Sequence, residues 1–322
     1  MKTVIVTGGA GFIGSVVVRE LLSKKYKVIC VDNFADDLYD PALKEYNVSA
    51  FSNNKNFVLY RTDVCNLEEL RNVFEKEKPE LVIHLAARAN TRKAVGEPQS
   101  YLDVNIGGTL NILELSKDFK IENVVIASSS SVYGNSTKMP LSESEPADRP
   151  LSPYGMTKRA DEVLAYTYHH NFQMNITCLR YFNAYGENNR PDLVPYIWGN
   201  LILDNAEIEI SGDGSRSRDY TYIGDIADGT IKAMEKPLGF EVINLGNSRP
   251  VSLKELVGVF EKVTGITAKV KSRPSHKASV ESTCADITKA KELLNWEPTT
   301  PIELGIEKLI AWLRNYRTKN SV

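Results

Sequence analysis

Tyr154 and Lys158 have the spacing Tyr-x-x-x-Lys within a stretch of helical pattern. Residues four positions apart share one face of a helix, so we expect the lysine ammonium beside the tyrosine phenol. A neighbouring cation favours the phenolate form of tyrosine, whose ordinary pKa is about 10. A phenol held in this way can act as a general base toward an alcohol. Such pairs also occur on ordinary helix surfaces, so the meaning of this one depends on the rest of the chain.

A glycine-rich turn lies between the first predicted strand and the first predicted helix. Gly8, Gly11 and Gly14 follow the β-branched run that ends at Thr7, in the spacing G-x-x-G-x-x-G. Glycines let the backbone turn tightly and approach a pyrophosphate, whose charge is received by the helix N-terminus. The pattern is looser than the G-x-G-x-x-G fingerprint, but the physical argument is the same. The sequence therefore predicts a dinucleotide site at this turn.

Asp32 ends the second predicted strand, which begins at Val28. A carboxylate in this position accepts hydrogen bonds from the adenosine ribose and repels a 2′-phosphate. The residues that follow, Asn33 to Ala35, bring no cation close to Asp32. The expected cofactor is therefore NAD rather than NADP. The alternative is that Asp32 only caps a loop.

The composition is that of an ordinary globular protein. The chain has 322 residues, of which 42% are hydrophobic and 25% charged, and its formal net charge is −2. This balance gives no electrostatic reason to expect nucleic acid or a membrane surface as a partner. We expect no transmembrane segment and no signal peptide. The four cysteines lie far apart and the four histidines lack metal-ligand spacing, which favours free thiols in the cytoplasm and no metal site.

Strand and helix patterns alternate through the first 180 residues. This alternation is typical of an α/β fold, a doubly wound parallel sheet of about seven strands with helices on both faces, as in the Rossmann fold. We predict a dinucleotide-binding domain at residues 1–180 and a smaller C-terminal substrate-binding lobe at residues 181–322. A segment near residues 220–248 is expected to return to the first domain, with Phe240 to Leu245 as a strand.

Several ordered motifs resemble those of the extended short-chain dehydrogenase/reductases that act on nucleotide sugars, and most closely those of the UDP-sugar 4-epimerases. The motifs are Thr7 to Gly14, Val82 to Ala87, Ser128 to Gly134, Ser152 to Lys158, Leu179 to Gly186, Arg218 to Tyr220 and Ala285 to Ala290. Each is weak alone, but their order along nearly the whole chain is specific. The resemblance implies an NAD-dependent epimerase/dehydratase that acts on a UDP-sugar.

The resemblance also implies roles for individual residues. Tyr154, Lys158 and Ser129 would be catalytic, with Tyr154 and Ser129 hydrogen-bonded to the 4-oxygen of the sugar. The implied NAD-binding residues are Gly8, Gly11, Phe12, Ile13, Gly14, Asp32, Asn33, Asp63, Val64, Leu85, Ala86, Ala87, Tyr154, Lys158 and Tyr181. The implied substrate-binding residues are Arg92, Ser130, Asn183, Arg190, Leu193, Arg218, Arg273 and Thr283.

The expected reaction has two half-reactions at C4 of the sugar. Tyr154 removes the 4-hydroxyl proton while hydride passes to NAD, the 4-keto sugar turns over, and hydride returns to the opposite face. NAD must stay bound between the two steps. Ser130 and Ser131 stand where related dehydratases have an acidic pair and related decarboxylases a glutamate. Because serine does not ionise near neutral pH, elimination and decarboxylation are disfavoured.

The identity of the sugar is left open by the sequence. Asn183 matches the glucose/galactose epimerases, so the main expectation is interconversion of UDP-glucose and UDP-galactose. The small Thr283 suits N-acetylated sugars as further substrates. The alternative is a UDP-glucuronate 4-epimerase, because Arg190 can form a charge-assisted hydrogen bond with a carboxylate. A nucleotide-sugar reductase or dehydratase is a further alternative.

The phosphate-binding segment departs from the family pattern. Arg218 corresponds to the arginine that pairs with the UDP phosphates. The usual Arg-Pro-Gly-Asp stretch is replaced here by His276 to Ser279. Arg273 or His276 would have to supply the missing contact.

Two predicted helical stretches, Tyr101 to Phe119 and Tyr154 to Phe172, carry more apolar residues than one buried stripe requires. The residues in question are Leu110, Leu113, Val163 and Leu164. Relatives pair these helices into a four-helix bundle, so we expect a homodimer. Complete burial within one subunit is the alternative.

Overall fold

The structure is a computed structural model that describes residues 1–136, 138–274 and 280–320. Within these residues the chain forms twelve strands and twelve α-helices. The strands are β1 (Thr3–Thr7), β2 (Lys27–Val31), β3 (Phe57–Tyr60), β4 (Leu81–His84), β5 (Asn123–Ser129), β6 (Ile176–Tyr181), β7 (Asn183–Tyr185), β8 (Glu207–Ser211), β9 (Ser217–Tyr222), β10 (Phe240–Leu245), β11 (Pro250–Ser252) and β12 (Lys269–Arg273). The helices are α1 (Phe12–Ser23), α2 (Ala42–Ser49), α3 (Leu67–Glu77), α4 (Thr91–Gly96), α5 (Pro98–Tyr101), α6 (Gly108–Asp118), α7 (Pro153–Phe172), α8 (Val194–Leu203), α9 (Ile223–Glu235), α10 (Leu253–Thr264), α11 (Thr288–Leu294) and α12 (Ile302–Asn320).

Seven parallel strands form the central sheet in the order β10-β6-β5-β4-β1-β2-β3. The central strands are almost entirely buried and apolar, as expected for a parallel sheet with both faces covered. The predicted doubly wound parallel sheet of about seven strands is confirmed. Because the strands are parallel, their carboxyl ends meet at one edge, where ligands bind in folds of this class.

Successive side chains of β1 point to opposite faces of the sheet and so contribute to two different cores. Val4 and Val6 pack in the core that includes α1 and α9. Ile5 packs in the core that includes α3, α6 and α7. The short predicted strand at the N-terminus of the chain therefore contributes to both layers of helices.

Residues that follow the first 180 complete the central sheet. β10 pairs in parallel with β6, from Phe240 opposite Ile176 to Leu245 opposite Tyr181. The preceding helix, α9, packs against α1 and against β4, β5 and β6. The division of the chain into domains at residue 180 stays a prediction.

Two small sheets and three helices form the smaller lobe. One sheet has the order β11-β9-β7 and the other pairs β12 with β8. Helices α8, α10 and α12 pack against one another beside them. β7 pairs with β9 so that Asn183 lies opposite Tyr220. This pairing brings Asn183 close to Arg218, which lies on the same strand as Tyr220.

Of the four apolar residues expected at the surface of α6 and α7, two are exposed and two are not. Leu110 and Val163 are 40% and 51% exposed. In contrast, Leu113 is fully buried and Leu164 packs against the core, because both face the sheet side of their helices. Tyr166 of α7, which is 51% exposed, adds to the exposed face. Among the described residues, no helix has the length and apolar character to cross a membrane.

Candidate active site

The glycine-rich turn connects β1 to α1 and leaves the N-terminus of α1 without a side-chain cap. Gly8 has a φ of +67°, in the region that favours glycine. A Cβ on Gly14 would lie 2.1 Å from the Gly8 carbonyl oxygen, which no side chain tolerates. The turn therefore needs glycine for its compactness. Its uncapped backbone N–H groups fit the pyrophosphate of a dinucleotide.

The segment after β4 lies directly against this turn. A Cβ on Gly8 would come within 2.8 Å of the Ala86 nitrogen. Thr7 accepts hydrogen bonds from Leu85 N–H at its carbonyl oxygen (3.1 Å) and from Ala86 N–H at its hydroxyl (3.2 Å). The predicted cofactor residues Leu85, Ala86 and Ala87 are thus adjacent to the glycines. Phe12 begins α1 with its ring in the core, so only its backbone is available to a ligand.

Asp32 is buried at the carboxyl end of β2. Its carboxylate accepts hydrogen bonds from Ala10 N–H at 3.2 Å, Phe34 N–H at 2.9 Å and the Lys44 ammonium at 3.2 Å. No lysine or arginine follows Asp32 directly in the sequence, but the fold brings one to it. Lys44 reaches it from α2, because the intervening loop folds back over the sheet edge.

Three further predicted NAD-binding residues, Asn33, Asp63 and Val64, lie at the carboxyl ends of β2 and β3. The Asn33 amide donates to Asp63 at 2.8 Å. Burial opposes ionisation of Asp63, but hydrogen bonds from the Cys65 N–H and from Asn33 outweigh it and lower the pKa of Asp63. Val64 is buried against α6, where a Cβ on Gly108 would lie 2.7 Å from Val64 Cγ2.

A cavity of about 490 Å³ opens beyond the carboxyl ends of the central strands. This volume is within the range of small-molecule sites. The cavity collects every predicted substrate-binding residue together with two predicted catalytic residues and one predicted cofactor residue. Those that line it are Arg92, Ser129, Ser130, Tyr154, Tyr181, Asn183, Arg190, Leu193, Arg218, Arg273 and Thr283.

Two local caps position the hydroxyls of Ser129 and Tyr154. At the end of β5, Ser129 Oγ accepts the N–H of Ser131 at 3.1 Å and begins a 3₁₀ turn. At the start of α7, Ser152 Oγ accepts the N–H of Gly155 at 3.1 Å. The two caps touch, because a Cβ on Gly155 would lie 2.6 Å from the Ser131 carbonyl oxygen. This close approach brings Tyr154, in the first turn of α7, to the cavity that Ser129 also lines.

Lys158 lies one turn further along α7 and is 2% exposed. Its ammonium donates to the Asp161 carboxylate at 3.2 Å. Glu162, the next residue, accepts two hydrogen bonds of 2.8 Å from Arg180 and one of 2.6 Å from Ser128. Burial opposes ionisation of Glu162, but Arg180 outweighs it and lowers the pKa of Glu162. These contacts fix α7 to β5 and β6.

Arg190 forms a forked ion pair with Asp192, with Nε–Oδ1 of 3.0 Å and Nη2–Oδ2 of 2.6 Å. Nη2 also donates to the carbonyl of Ala89. Burial opposes the charge of Arg190, but Asp192 outweighs it and raises the pKa of Arg190, with Tyr154 among the groups that contribute. Nη1 donates to no acceptor within the part of the chain that the structure describes. The guanidinium is therefore held in place with one nitrogen free.

Arg218 is held by backbone carbonyls rather than by a carboxylate. It donates to Ser217 O at 2.7 Å, Val280 O at 2.8 Å and Glu281 O at 3.3 Å. Burial lowers the pKa of Arg218. Arg273 lies at the rim, with Glu209 at 3.3 Å. His276 to Ser279 lie outside the described residues.

Tyr181 and Thr283 use their hydroxyls for contacts within the protein. The Tyr181 hydroxyl lies 2.9 Å from Thr230 Oγ1 in a buried pair, and burial raises its pKa. Thr283 Oγ1 accepts the Asp219 N–H at 3.0 Å. These bonds orient the two side chains at the cavity wall.

Three charged residues of the site were missed by sequence reasoning. Asp161 has a sequence signal, since it lies three positions after Lys158 on a helical pattern. Asp192 has a weaker one, because it follows Arg190 within a predicted substrate loop. Lys44 has none, since its contact with Asp32 depends on the path of a loop.

Comparisons with known proteins agree with the geometry. Residues 5–309 match the family described as GDP-mannose 4,6 dehydratase. A UDP-glucuronate 4-epimerase of Thermodesulfobacterium geofontis is 44% identical over 309 residues, which cover 96% of this chain and 95% of the relative. Among solved structures, the chain superposes on UDP-glucuronic acid 4-epimerase from Bacillus cereus, whose crystal structure contains UDP-glucuronic acid and NAD. The TM-score is 0.92 at 34% identity, and the match covers 98% of this chain and 99% of the B. cereus chain. A UDP-glucose 4-epimerase of Thermotoga maritima, solved with UDP-glucose, has a TM-score of 0.90 at 33% identity and the same coverage.

Proposed function

Because the chain belongs to the GDP-mannose 4,6-dehydratase family of extended short-chain dehydrogenase/reductases and is an NAD-dependent UDP-sugar 4-epimerase, we propose that it interconverts UDP-glucuronate and UDP-galacturonate. This is the alternative that the sequence left open. The main expectation, UDP-glucose and UDP-galactose, is not confirmed and becomes the second candidate. The similar proteins from T. geofontis and B. cereus are both UDP-glucuronate 4-epimerases, which supports UDP-glucuronate over UDP-glucose as the substrate.

The observation that carries the proposal is the hydrogen bonding of the Arg190 guanidinium. It lines the same cavity as Tyr154, and its Nη1 has no acceptor among the described residues. The carboxylate of glucuronate is attached to C5, next to the reacting C4, so a cation near Tyr154 suits it. Ser130 and Ser131 add small hydroxyls to the same wall. A neutral hydroxymethyl group would gain less from such a cation.

Asn183 is the observation in favour of the second candidate. It is exposed to the cavity on β7, beside Arg218 on β9. An amide donates to a carboxylate as readily as to a hydroxyl, so Asn183 is compatible with both sugars. Thr283, which is small and buried, keeps N-acetylated sugars among the substrates to be assayed.

The chemistry proposed for the site rests on Tyr154, Ser129 and Lys158. NAD, when bound at the glycine-rich turn and Asp32, supplies the hydride acceptor and donor. Tyr154 takes the proton from the 4-hydroxyl and returns it to the 4-oxygen at the end. Ser129 hydrogen-bonds the same oxygen and holds it in line with Tyr154. Arg218 anchors the diphosphate while the sugar turns over within the cavity.

Elimination is not supported by the serine turn. Ser130 and Ser131 occupy the two positions after Ser129 and carry no acid or base near neutral pH. A reductase remains distinguishable, because it would release oxidised cofactor in every cycle. Co-purified NAD at one equivalent per chain would count against that alternative.

The proposal is tested by assaying the purified protein on UDP-glucuronate, UDP-glucose and UDP-N-acetylglucosamine, with chromatographic separation of the epimers. We expect the highest kcat/KM on UDP-glucuronate. Arg190→Met in combination with Asp192→Asn removes both charges of the forked pair and leaves neither unpaired. This double variant should lower kcat/KM on UDP-glucuronate about 10–100-fold, as expected for one charged hydrogen bond, and change that on UDP-glucose much less.

The control for this experiment is Arg273→Met, which removes an exposed arginine at the cavity rim. We expect it to change kcat/KM on UDP-glucuronate and UDP-glucose by the same factor, because the proposed role of Arg273 is to bind the phosphates that both substrates share. Faster turnover of UDP-glucose than of UDP-glucuronate by the wild type would refute the proposal.

We further propose that the protein is a homodimer in which α6 and α7 of each copy form a four-helix bundle. The exposed apolar residues of these helices include Leu110, Met156, Val163, Tyr166 and Phe172. A cytoplasmic location, expected from the widely spaced cysteines, stays a prediction.

A further inference from the structure

Lys158 and Asp161 form an ion pair that is almost completely removed from solvent, with side chains 2% and 0% exposed. Nζ and Oδ2 are 3.2 Å apart. Among the described residues the other carboxylate oxygen, Oδ1, has no hydrogen bond of good geometry, although the Thr109 hydroxyl acts with Lys158 to lower the pKa of Asp161. Burying two charges in this way is costly even when they are paired, and the effect of burial on the pKa of Asp161 outweighs those of Lys158 and Thr109. Stability alone does not explain the pair.

The helical spacing places this pair in line with the catalytic phenol. Tyr154, Lys158 and Asp161 are separated by four and three positions and therefore share one face of α7. Along that face Lys158 comes between Tyr154 and Asp161. The attraction between the Lys158 ammonium and the Asp161 carboxylate therefore influences where the ammonium lies relative to Tyr154.

Among the charged and titratable groups around the Lys158–Asp161 pair, Asp161 is the one whose protonation is expected to change near neutral pH. From β4, His84 has its pKa lowered to about 3 by burial and by Lys158, so it is neutral. From β6, burial raises the pKa of the Cys178 thiol, which stays protonated. Arg180 of β6 and Glu162 of α7 neutralise each other. Burial raises the pKa of Asp161 to about 6 against the opposing effect of Lys158.

We propose that Asp161 is a positioning residue for the catalytic pair, which holds the Lys158 ammonium beside Tyr154 and offsets part of its charge. The inference rests on the roles proposed for Tyr154 and Lys158, but not on which UDP-sugar is the substrate. Asp161 does not line the cavity. Its effect on catalysis is therefore exerted through Lys158.

The position of Asp161 has a consequence for the pH dependence of the reaction. When Asp161 is ionised, part of the lysine charge is offset. When Asp161 is protonated or replaced by a neutral residue, the full charge of Lys158 acts on the reacting group. A larger positive charge beside an acid–base group in general favours its anionic form and weakens that form as a proton acceptor.

The test is Asp161→Asn, with kcat and kcat/KM measured from pH 5 to 9 on whichever UDP-sugar the wild type uses. We expect the acidic limb of the kcat/KM profile to move about one pH unit lower, as for the loss of a nearby charge. The plateau of kcat should fall up to about 10-fold because the base is weaker. KM should be unchanged, since Asp161 contacts no substrate.

The control is Asp225→Asn, which neutralises another buried carboxylate. Asp225 lies on α9 and accepts hydrogen bonds from the N–H groups of Thr299 and Thr300. It should leave the acidic limb where it is. Bound NAD and the melting temperature are measured for every variant, because they report binding and folding independently of activity. An Asp161→Asn variant that folds, binds NAD and keeps the wild-type acidic limb would overturn the proposal.

A second variant, Asp161→Ala, is included because the asparagine amide of Asp161→Asn can pack poorly in this buried position. It should move the acidic limb in the same direction as Asp161→Asn. Failure of both variants to accumulate as folded, NAD-containing protein would assign Asp161 to folding instead and would equally overturn the proposal. Absence of activity on UDP-glucuronate alone affects only the substrate assignment, because the profile is then recorded on UDP-glucose.

Discussion

Tyr154 owes its place at the cavity to a local arrangement that the sequence encodes in full. Ser152 caps α7, Pro153 occupies its first position, and Gly155 permits contact with the serine turn after β5. Each of these residue types is favoured at its position for a physical reason. The proposed catalytic pair, and Asp161 on the same face of α7, were therefore recognisable from the sequence, whereas Lys44 was not, because its contact with Asp32 is set by the path of a loop.

At the scale of the residue we expect Tyr154→Phe to lower kcat by roughly 10²–10⁴-fold, because it removes only the ionisable oxygen. Ser129→Ala should have a smaller effect, since it removes a hydrogen bond to the same oxygen but no base. Bound NAD, measured by absorbance after denaturation, should be unchanged in both.

The matched control is Tyr166→Phe, which removes an exposed phenol from the same helix. Its kcat should equal that of the wild type. Near-normal turnover by Tyr154→Phe would exclude the phenolate mechanism.

At the scale of the element, the glycine-rich turn has a strict steric requirement. Gly14→Ala would place a Cβ 2.1 Å from the Gly8 carbonyl oxygen. The turn must shift to relieve this clash, which we expect to lower stability by about 1–3 kcal/mol and to release NAD. Thermal unfolding and NAD content of the purified variant measure the two effects.

Gly258→Ala is the control for that substitution. Gly258 lies within α10, and a Cβ there meets nothing within 4 Å. Alanine should be neutral or stabilise the helix by up to about 1 kcal/mol. Retention of full NAD binding by Gly14→Ala would show that the turn is not the pyrophosphate site.

The elements could be predicted from sequence to different degrees. Buried parallel strands such as β1 and β5 are short apolar runs, so periodicity and composition locate them within a residue or two. The helical stretch Tyr101 to Phe119 was predicted as continuous, yet the structure has a π-helical turn at Leu102–Gly107. Such a bulge depends on packing against α7, where the Asn105 amide donates to Thr157, and periodicity does not encode it. The small lobe, with its three-residue strands, carries still less local signal.

At the scale of the whole molecule, the apolar face on α6 and α7 determines the expected oligomer. Light scattering during size-exclusion chromatography should give twice the chain mass of 35.9 kDa at micromolar concentration. Leu110→Glu combined with Val163→Glu should yield monomers, because it buries charge in the proposed bundle.

The control for the dimer is Leu304→Glu, which alters a residue of α12 that is 43% exposed. It should leave the oligomeric state unchanged. A wild type that elutes at the mass of one chain would contradict the proposed dimer.

The pairing of β10 with β6 has a consequence for how the protein is made. A ribosome releases β6 well before residues 223–245, so the growing chain exposes the free edge of β6 and the sheet face that α9 later covers. Exposed strand edges template aggregation, and nascent chains with unfinished sheets depend on chaperones. A fragment ending at residue 180 would leave the β6 edge and this sheet face exposed permanently. A single cut after residue 180 therefore does not separate the predicted dinucleotide-binding domain as a complete unit. A natural or engineered fusion that reuses this domain must also include residues 223–245.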